Sequence, residues 1–305
     1  MQTGPKRFIH SLIPVALIIT ACLLYRFVFM QGKGYDRSFA QSVQETDETH
    51  FTCTYAGITH DVIVDLPEEA KNAPLIVMLH GYGNSGESFR LETGFEKQAN
   101  PAGYAVAYVT GSANPEDPTS AVGWNSGLGD SETDDVAFLK TLVKYLQDRY
   151  SLRRNVTFAV GFSNGAFMAH RLAVEASDTF PAVVCVAGMM PESIWEEKDM
   201  IKPVSVFQVT GEKDDLVPKN ADGSAKYAKA PAIEDVIAFY VETDGLTLTG
   251  EEATGKKGTL TKYGGSGTKC VWDLSIKDGR HSWPDEGITG IDINALIIAF
   301  LDTQK

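Results

Sequence analysis

From about residue 50 onward the chain alternates between two patterns. Short, almost unbroken apolar runs rich in Val, Ile, Phe and Tyr occupy 61–66, 75–79, 104–109, 156–160, 182–187, 204–209 and 270–276. Runs of that length and composition predict strands. A strand with apolar side chains on both faces belongs in the middle of a covered sheet, so the pattern predicts a mostly parallel central sheet flanked by helices. Between the runs, 135–149 sets Val136, Leu139, Leu142, Val143 and Leu146 on one stripe at helical spacing, continued by Tyr150. Residues 166–176, 233–243 and 293–301 read as further helices, and no internal repeat or second domain interrupts the series. The polar stretch 111–133, with Gly, Pro, Ser, Asp and the single Trp124, follows a strand. Loops of that length are often functional, and this one belongs at the carboxyl ends of the strands, where open α/β sheets bind ligands. The Gly/Thr/Lys-rich stretch 245–268 reads as a hairpin excursion with no functional assignment.

The beginning of the chain follows a different pattern. Lys6 and Arg7 precede the apolar stretch from Leu12 to Tyr25, and polar residues follow from Gln31. That order of basic, apolar and polar segments is that of an export signal. Residues 1–30 are therefore expected to be a cleaved signal peptide or a retained signal-anchor. The run Ile19-Thr20-Ala21-Cys22 also resembles a lipoprotein cleavage box with Cys22 as the lipid-bearing residue. Residues 31–50 read as a polar tether and 51–305 as one catalytic domain, held outside the cell or at the outer face of the membrane.

Charge narrows the partners. The net charge is −13, and residues 1–35 carry four basic residues and no acid. From Asp36 onward, 23 basic residues face 40 acidic ones, a balance of −17. Such a surface repels phosphate backbones, so nucleic acid is not an expected partner. Beyond the leader only Cys53, Cys185 and Cys270 remain, an odd number without metal-ligand spacing. Neither a metal nor a cofactor is expected, and Cys185, inside an apolar run, reads as a small buried hydrophobe.

Candidate chemistry begins at Thr157-Phe158-Ala159-Val160-Gly161-Phe162-Ser163-Asn164-Gly165-Ala166, where a strand pattern runs through G-x-S-x-G into a helix pattern. In that context the serine sits on a strained turn, and the two glycines allow close backbone approach. A serine nucleophile needs a base within hydrogen-bond reach and a carboxylate to orient that base. Downstream of Ser163 the histidines are His170 and His281. His170 lies about two helical turns along the same helix and cannot reach the serine. His281, in the turn-rich Asp278-Gly279-Arg280-His281-Ser282-Trp283-Pro284 after the last strand, is the expected base. The strand 204–209 is followed by Thr210-Gly211-Glu212-Lys213-Asp214-Asp215, which puts two candidate acids on the ligand face. An Asp pair in a turn is ordinarily solvated or capping, and local pattern does not choose between them. Main-chain N–H groups of Asn164, next to the serine, and of Tyr82, in His80-Gly81-Tyr82-Gly83 after a buried strand, are the expected oxyanion donors. His80 itself reads as structural.

The same loop matches G-x-G-x-x-G over Gly81-Tyr82-Gly83-Asn84-Ser85-Gly86, the dinucleotide fingerprint. A nucleotide site would place an acid at the end of the next strand, about 20 residues on. That strand instead ends Tyr108-Val109-Thr110-Gly111, and the serine turn would be left without a purpose.

With the His-Gly loop, Gly123-Trp124-Asn125, Asp134-Asp135-Val136, the serine turn, the Asp214 turn and His-Ser-Trp-Pro in order, the chain resembles the esterase-type polyhydroxybutyrate depolymerase family, which includes feruloyl and acetylxylan esterases. The resemblance spans about residues 55–283. It implies an α/β-hydrolase and a serine carboxylesterase, with Ser163 as nucleophile, His281 as base and Asp214 as the acid in its G-x-x-D-x-x-V-P turn. Asp215 then stands outside the triad. The implied partner is an ester, either a feruloyl or acetyl ester of plant polysaccharide or a hydroxyalkanoate. Trp124 and Trp283 are candidates to flank an aromatic or sugar substrate, or else packing residues. The chain departs from the family pattern at Tyr82, where Cys is common, at Ala166, where Gly is common, and at Thr210-Gly211, where His-Gly is common. A serine peptidase and a non-catalytic binding module on the same fold are the alternatives.

Overall fold

A computed structural model describes Tyr35 and residues 37–117, 119–129, 131–217 and 230–305. The leader at 1–30, with Cys22, and Pro218 of the acidic turn lie outside the described residues. The strands are β1 (Gln44–Glu45), β2 (His50–Tyr55), β3 (Ile58–Asp65), β4 (Leu75–Leu79), β5 (Ala105–Val109), β6 (Thr157–Phe162), β7 (Ala182–Val186), β8 (Ser205–Gly211), β9 (Thr247–Thr254), β10 (Gly258–Gly264) and β11 (Cys270–Ile276). They form one 11-stranded sheet in the order β1-β2-β3-β5-β4-β6-β7-β8-β11-β10-β9. The run from β5 through β4, β6, β7 and β8 to β11 is parallel. Antiparallel strands extend both edges, β1–β3 on one side and the β9–β10 hairpin, within the expected 245–268 excursion, on the other.

The unbroken apolar runs have the structural meaning the pattern implied. β4 is buried at every residue, with Leu75, Val77 and Leu79 in one core and Ile76 and Met78 in the other. The helices are α1 (Arg37–Ser42), α2 (Gly86–Thr93), α3 (Glu96–Ala99), α4 (Asp135–Arg149), α5 (Asn164–Glu175), α6 (Glu192–Glu196), α7 (Ile233–Thr243), α8 (Glu286–Thr289) and α9 (Ile293–Asp302). The first core takes Phe138, Leu139 and Leu142 from α4, Met168 and Leu172 from α5 and Ile237 from α7. The second takes Phe89 from α2 and Ile297 and Phe300 from α9. Asp134 caps α4, accepting a hydrogen bond from the Ala137 N–H at 3.1 Å, which explains why the helix begins at Asp135.

The expected tether at 31–50 is in part a folded element. Residues 37–42 form α1, and Phe39 is buried, edge-on to Tyr145 of α4 at 5.6 Å. Tyr35 meets the same ring at 5.5 Å. Tyr35 lies outside α1, so the two aromatics share no helical periodicity, and the polar residues around them hide the signal in a reading by composition.

Cys53, Cys185 and Cys270 are free thiols. Cys53 on β2 and Cys270 on β11 stand toward opposite sides of the sheet, on the order of 30 Å apart at the usual strand spacing.

Candidate active site

β6 ends at Phe162, α5 begins at Asn164, and Ser163 is the single residue between them. Its φ of 53° and ψ of −118° put an L-residue in a strained backbone region, which points the side chain out of the turn. The strain is held by close contacts on both sides. A Cβ on Gly165 would run into the Leu79 carbonyl oxygen, and one on Gly161 into the Gly165 carbonyl oxygen. The Ser163 N–H donates to the Val186 carbonyl oxygen at 2.9 Å, tying the turn to β7.

Ser163 Oγ lies 2.8 Å from His281 Nε2. His281 Nδ1 lies 2.8 Å from Asp214 Oδ2. The other carboxylate oxygen, Oδ1, accepts the Leu216 and Val217 N–H groups at 3.0 and 2.8 Å. The Asp214 side chain is only 1% exposed, so all its hydrogen bonding is internal and its orientation is fixed. Asp215 is exposed and takes no part in this chain of bonds.

The loops that carry Asp214 and His281 are also bound to each other. Glu212 N–H donates to the Ile276 carbonyl oxygen at 3.0 Å, and Lys213 N–H to that of Gly279 at 2.8 Å. A Cβ on Gly211 would stand 2.6 Å from Gly279 backbone, so this approach needs glycine. The pairing sets the Asp–His separation through main chain rather than through side-chain luck.

Asn164 opens α5, and its N–H has no intrahelical acceptor. Among the described residues, no hydrogen bond takes the Tyr82 or the Asn164 N–H, whereas Gly83 N–H is taken by the Val122 carbonyl oxygen at 2.7 Å. Gly81 brings this loop against the serine, since a Cβ there would stand 3.4 Å from that of Ser163. A serine hydroxyl on an imidazole, a carboxylate on the other side of that imidazole and two free amides on one edge of the sheet are the groups that acyl transfer requires.

Residues 70–230 match the serine hydrolase (FSH1) family. The chain belongs to that family. It is 34% identical over 243 residues to NocK of Nocardia uniformis subsp. tsuyamanensis, which carries an esterase name, a match covering 72% of this chain and 67% of that one. Feruloyl esterase B of Thermothelomyces thermophilus is 28% identical over 122 residues, covering 39% of this chain and 40% of its own. Feruloyl esterase C of Emericella nidulans is 26% identical over 171 residues, covering 54% and 57%. The chain thus spans about half the length of these two feruloyl esterases. In fold it is similar to the acetyl xylan esterase from Aspergillus awamori, with a TM-score of 0.57 at 15% identity over 80% of this chain and 94% of that one. The S-formylglutathione hydrolase FrmB from Staphylococcus aureus superposes with a TM-score of 0.51 at 15% identity, covering 83% and 98%. The fold is that of the α/β-hydrolases, and the chain is a serine hydrolase of carboxylic ester bonds.

In this FSH1-family hydrolase several further residues hold the segments around Ser163 and His281 in place. His80 is fully buried; its Nδ1 faces the Gly81 carbonyl oxygen at 2.7 Å, and its Nε2 accepts the Gly111 N–H at 3.0 Å. Burial holds its pKa down to about 4, so it is neutral and ties the Tyr82 loop to the end of β5. The Asn164 side chain accepts the Trp124 N–H at 2.7 Å and donates to Ser126 Oγ at 3.2 Å. Asp135 accepts the Asn125 N–H at 2.7 Å, and Arg171 donates to the Asn125 carbonyl oxygen at 2.7 Å. The 111–133 loop is therefore pinned at 124–126 to the serine helix and to α4.

Trp124 is a correction. It is 2% exposed, and its indole N–H donates to the His80 carbonyl oxygen at 3.0 Å, so it is a packing residue with no face for a substrate. Trp283 is half-buried, edge-on to Phe89 at 5.5 Å, with its N–H donating to Asn294 Oδ1 at 3.2 Å. His281 leans on Phe162 at 5.2 Å, and Phe162 in turn meets Trp283 at 6.5 Å, so Trp283 braces His281 through Phe162. His170, as expected, is buried away from Ser163, held by Tyr240 Oη and Gln208 Oε1, each at 3.1 Å. His80 is structural, as expected, whereas the positioning roles of Asn164 and Asp135 were not legible in the sequence. The one available hint was that His80, Asn125 and Asp135 sit inside the motifs that carry the resemblance.

Proposed function

We propose that this serine hydrolase is an exported carboxylesterase in which Ser163 is the nucleophile, His281 the base and Asp214 the acid. The reading rests on one observation: the unbroken chain of 2.8 Å contacts from Asp214 Oδ2 through His281 to Ser163 Oγ. Ser163 Oγ attacks the ester carbonyl carbon as its proton passes to His281 Nε2. His281 Nδ1–H donates to Asp214, which fixes the tautomer and stabilises the imidazolium. The oxyanion accepts from the N–H groups of Tyr82 and Asn164, each such donor being worth on the order of 10²–10³ in rate. His281 returns the proton to the departing alcohol, then takes one from water, and the hydroxide releases the acid and restores Ser163.

The substrate reading is a feruloyl or acetyl ester of plant polysaccharide, or a hydroxyalkanoate ester. It is supported by the feruloyl and acetylxylan esterase names among the relatives. Export is supported by the order of charge and hydropathy in residues 1–30; among the described residues no helix is long and apolar enough to cross a membrane. Residues 51–305 are proposed as the catalytic domain.

A panel of methyl ferulate, acetylated xylan, hydroxybutyrate oligomers and nitrophenyl esters tests the class. One of the first three should exceed the others by at least about tenfold in kcat/KM, which is about 1.4 kcal/mol of transition-state discrimination. Ser163→Ala should lower kcat by about 10⁶ with the fold intact. Near-parental hydrolysis by that variant ends the assignment.

A further inference from the structure

A cavity of about 290 Å³ lies against the segment that carries His281. Its floor is apolar, formed by Val186, Val209 and Ile276 at the ends of β7, β8 and β11, and Ile288 of α8 stands at its rim. Neither Ser163 nor His281 nor Asp214 lines it. Its remaining wall is the 277–285 segment itself, including Lys277, Arg280 and Pro284, with Lys257 of the β9–β10 turn beside it.

The charge here runs against the rest of the surface. From Asp36 onward acids outnumber bases by 40 to 23, yet Lys257, Lys277 and Arg280 converge on one opening. The two acids at the cavity are already engaged. Asp278 pairs with Lys213 at 2.5 Å and also feels the charges of Lys257 and Lys277, which make no direct contact with it, and Asp285 Oδ1 accepts the Ile288 N–H at 3.0 Å as the cap of α8. None of the three cations is held in a salt bridge or a side-chain hydrogen bond by a described residue. Cations that stay solvated at the mouth of an apolar hollow suit a ligand with a carboxylate at one end and a small apolar body at the other. The volume is at the small end for ligand sites, which suits a single ring or a short chain.

We infer that this cavity is a binding site for small monocarboxylates, separate from the reaction site, and that its occupant is the acid released by ester hydrolysis. The carboxylate sits among Lys257, Lys277 and Arg280, and the apolar body lies on Val186, Val209 and Ile276. The source of the acid rests on the esterase reading, whereas the binding chemistry does not.

Benzoate and its neutral isostere benzamide test the site, by ligand-observed NMR titration of the full chain after Ser163 has been phosphonylated to close the reaction site. Benzoate should bind saturably, at least tenfold more tightly than benzamide. The Lys257→Gln, Lys277→Gln double variant should lose at least tenfold for benzoate and leave benzamide unchanged. The inference is overturned if phosphonylation abolishes benzoate binding, if the two ligands bind alike, or if the double variant binds benzoate like the parent. The comparison of two ligands on the parent protein holds even if the double variant folds poorly. If Ser163 resists phosphonylation, the esterase reading fails, and the same titrations on the unlabelled protein and the double variant still decide the cavity.

Discussion

At the scale of single residues, neighbouring side chains of the same type have unequal parts. Asp214 and Asp215 are adjacent and chemically identical, yet only Asp214 is enclosed, with one oxygen on two main-chain amides and the other on His281. Asp214→Asn should lower kcat by about 10⁴ by favouring the wrong histidine tautomer, while Asp215→Asn should stay within about twofold of the parent. Steady-state kinetics of the pair decide the matter, and equal losses would reject Asp214 as the acid. The sequence limited the acid to these two positions and the resemblance favoured the first. The burial that distinguishes them comes from folding. Trp124 shows the reverse case: a lone tryptophan in a polar loop suggests a substrate platform, and packing against His80 made it a wedge instead.

Among elements, the important event is the docking of the 111–133 loop onto α5. Asn164 shares it with Arg171, using its side chain while its main-chain N–H faces the proposed oxyanion, so substitution separates the two parts. Asn164→Ala keeps the amide and leaves the buried Trp124 N–H without its acceptor, at a cost of about 1–3 kcal/mol. Denaturant unfolding should register that loss, and limited proteolysis should cut first within 111–133. Unchanged stability together with an uncut loop would show that the loop is held elsewhere. The elements themselves were largely legible, because parallel central strands must be apolar on both faces and the amphipathic α4 must show its stripe. The fold of residues 37–42 was not, since a short helix owes its stability to Phe39 inserting beside Tyr145 rather than to its own propensity.

Across the whole molecule, buried histidines govern the response to acid. Burial holds His80 and His170 down to about 4 and pushes His60 in the same direction, whereas the unfolded chain titrates them near 6.5. Between these values the unfolded state binds protons that the folded state refuses. Stability is therefore full above about pH 6.5 and declines as pH falls to about 4, by roughly 3 kcal/mol for each of His80 and His170. Asp135 and Asp244, whose carboxyls burial pushes up, oppose the trend near the lower end. A Tm that is level above pH 7 and falls on the order of 10 °C by pH 4.5 is expected in scanning calorimetry. A Tm constant across that range would mean that these histidines titrate normally in the fold.

The sequence by itself determined the sheet, its helical cover, the serine turn and the set of residues able to serve it. Each of these is written in local order: periodicity, a glycine on either side of a serine, a histidine after the last strand. Tertiary structure alone decided which aspartate is enclosed, which tryptophan is spent on packing, and how the Asp214 and His281 loops meet at Gly211 and Gly279. It also gathered Lys257, Lys277 and Arg280 around one hollow. Burial and proximity between distant segments are properties of the packed chain, and no stretch of sequence carries them alone.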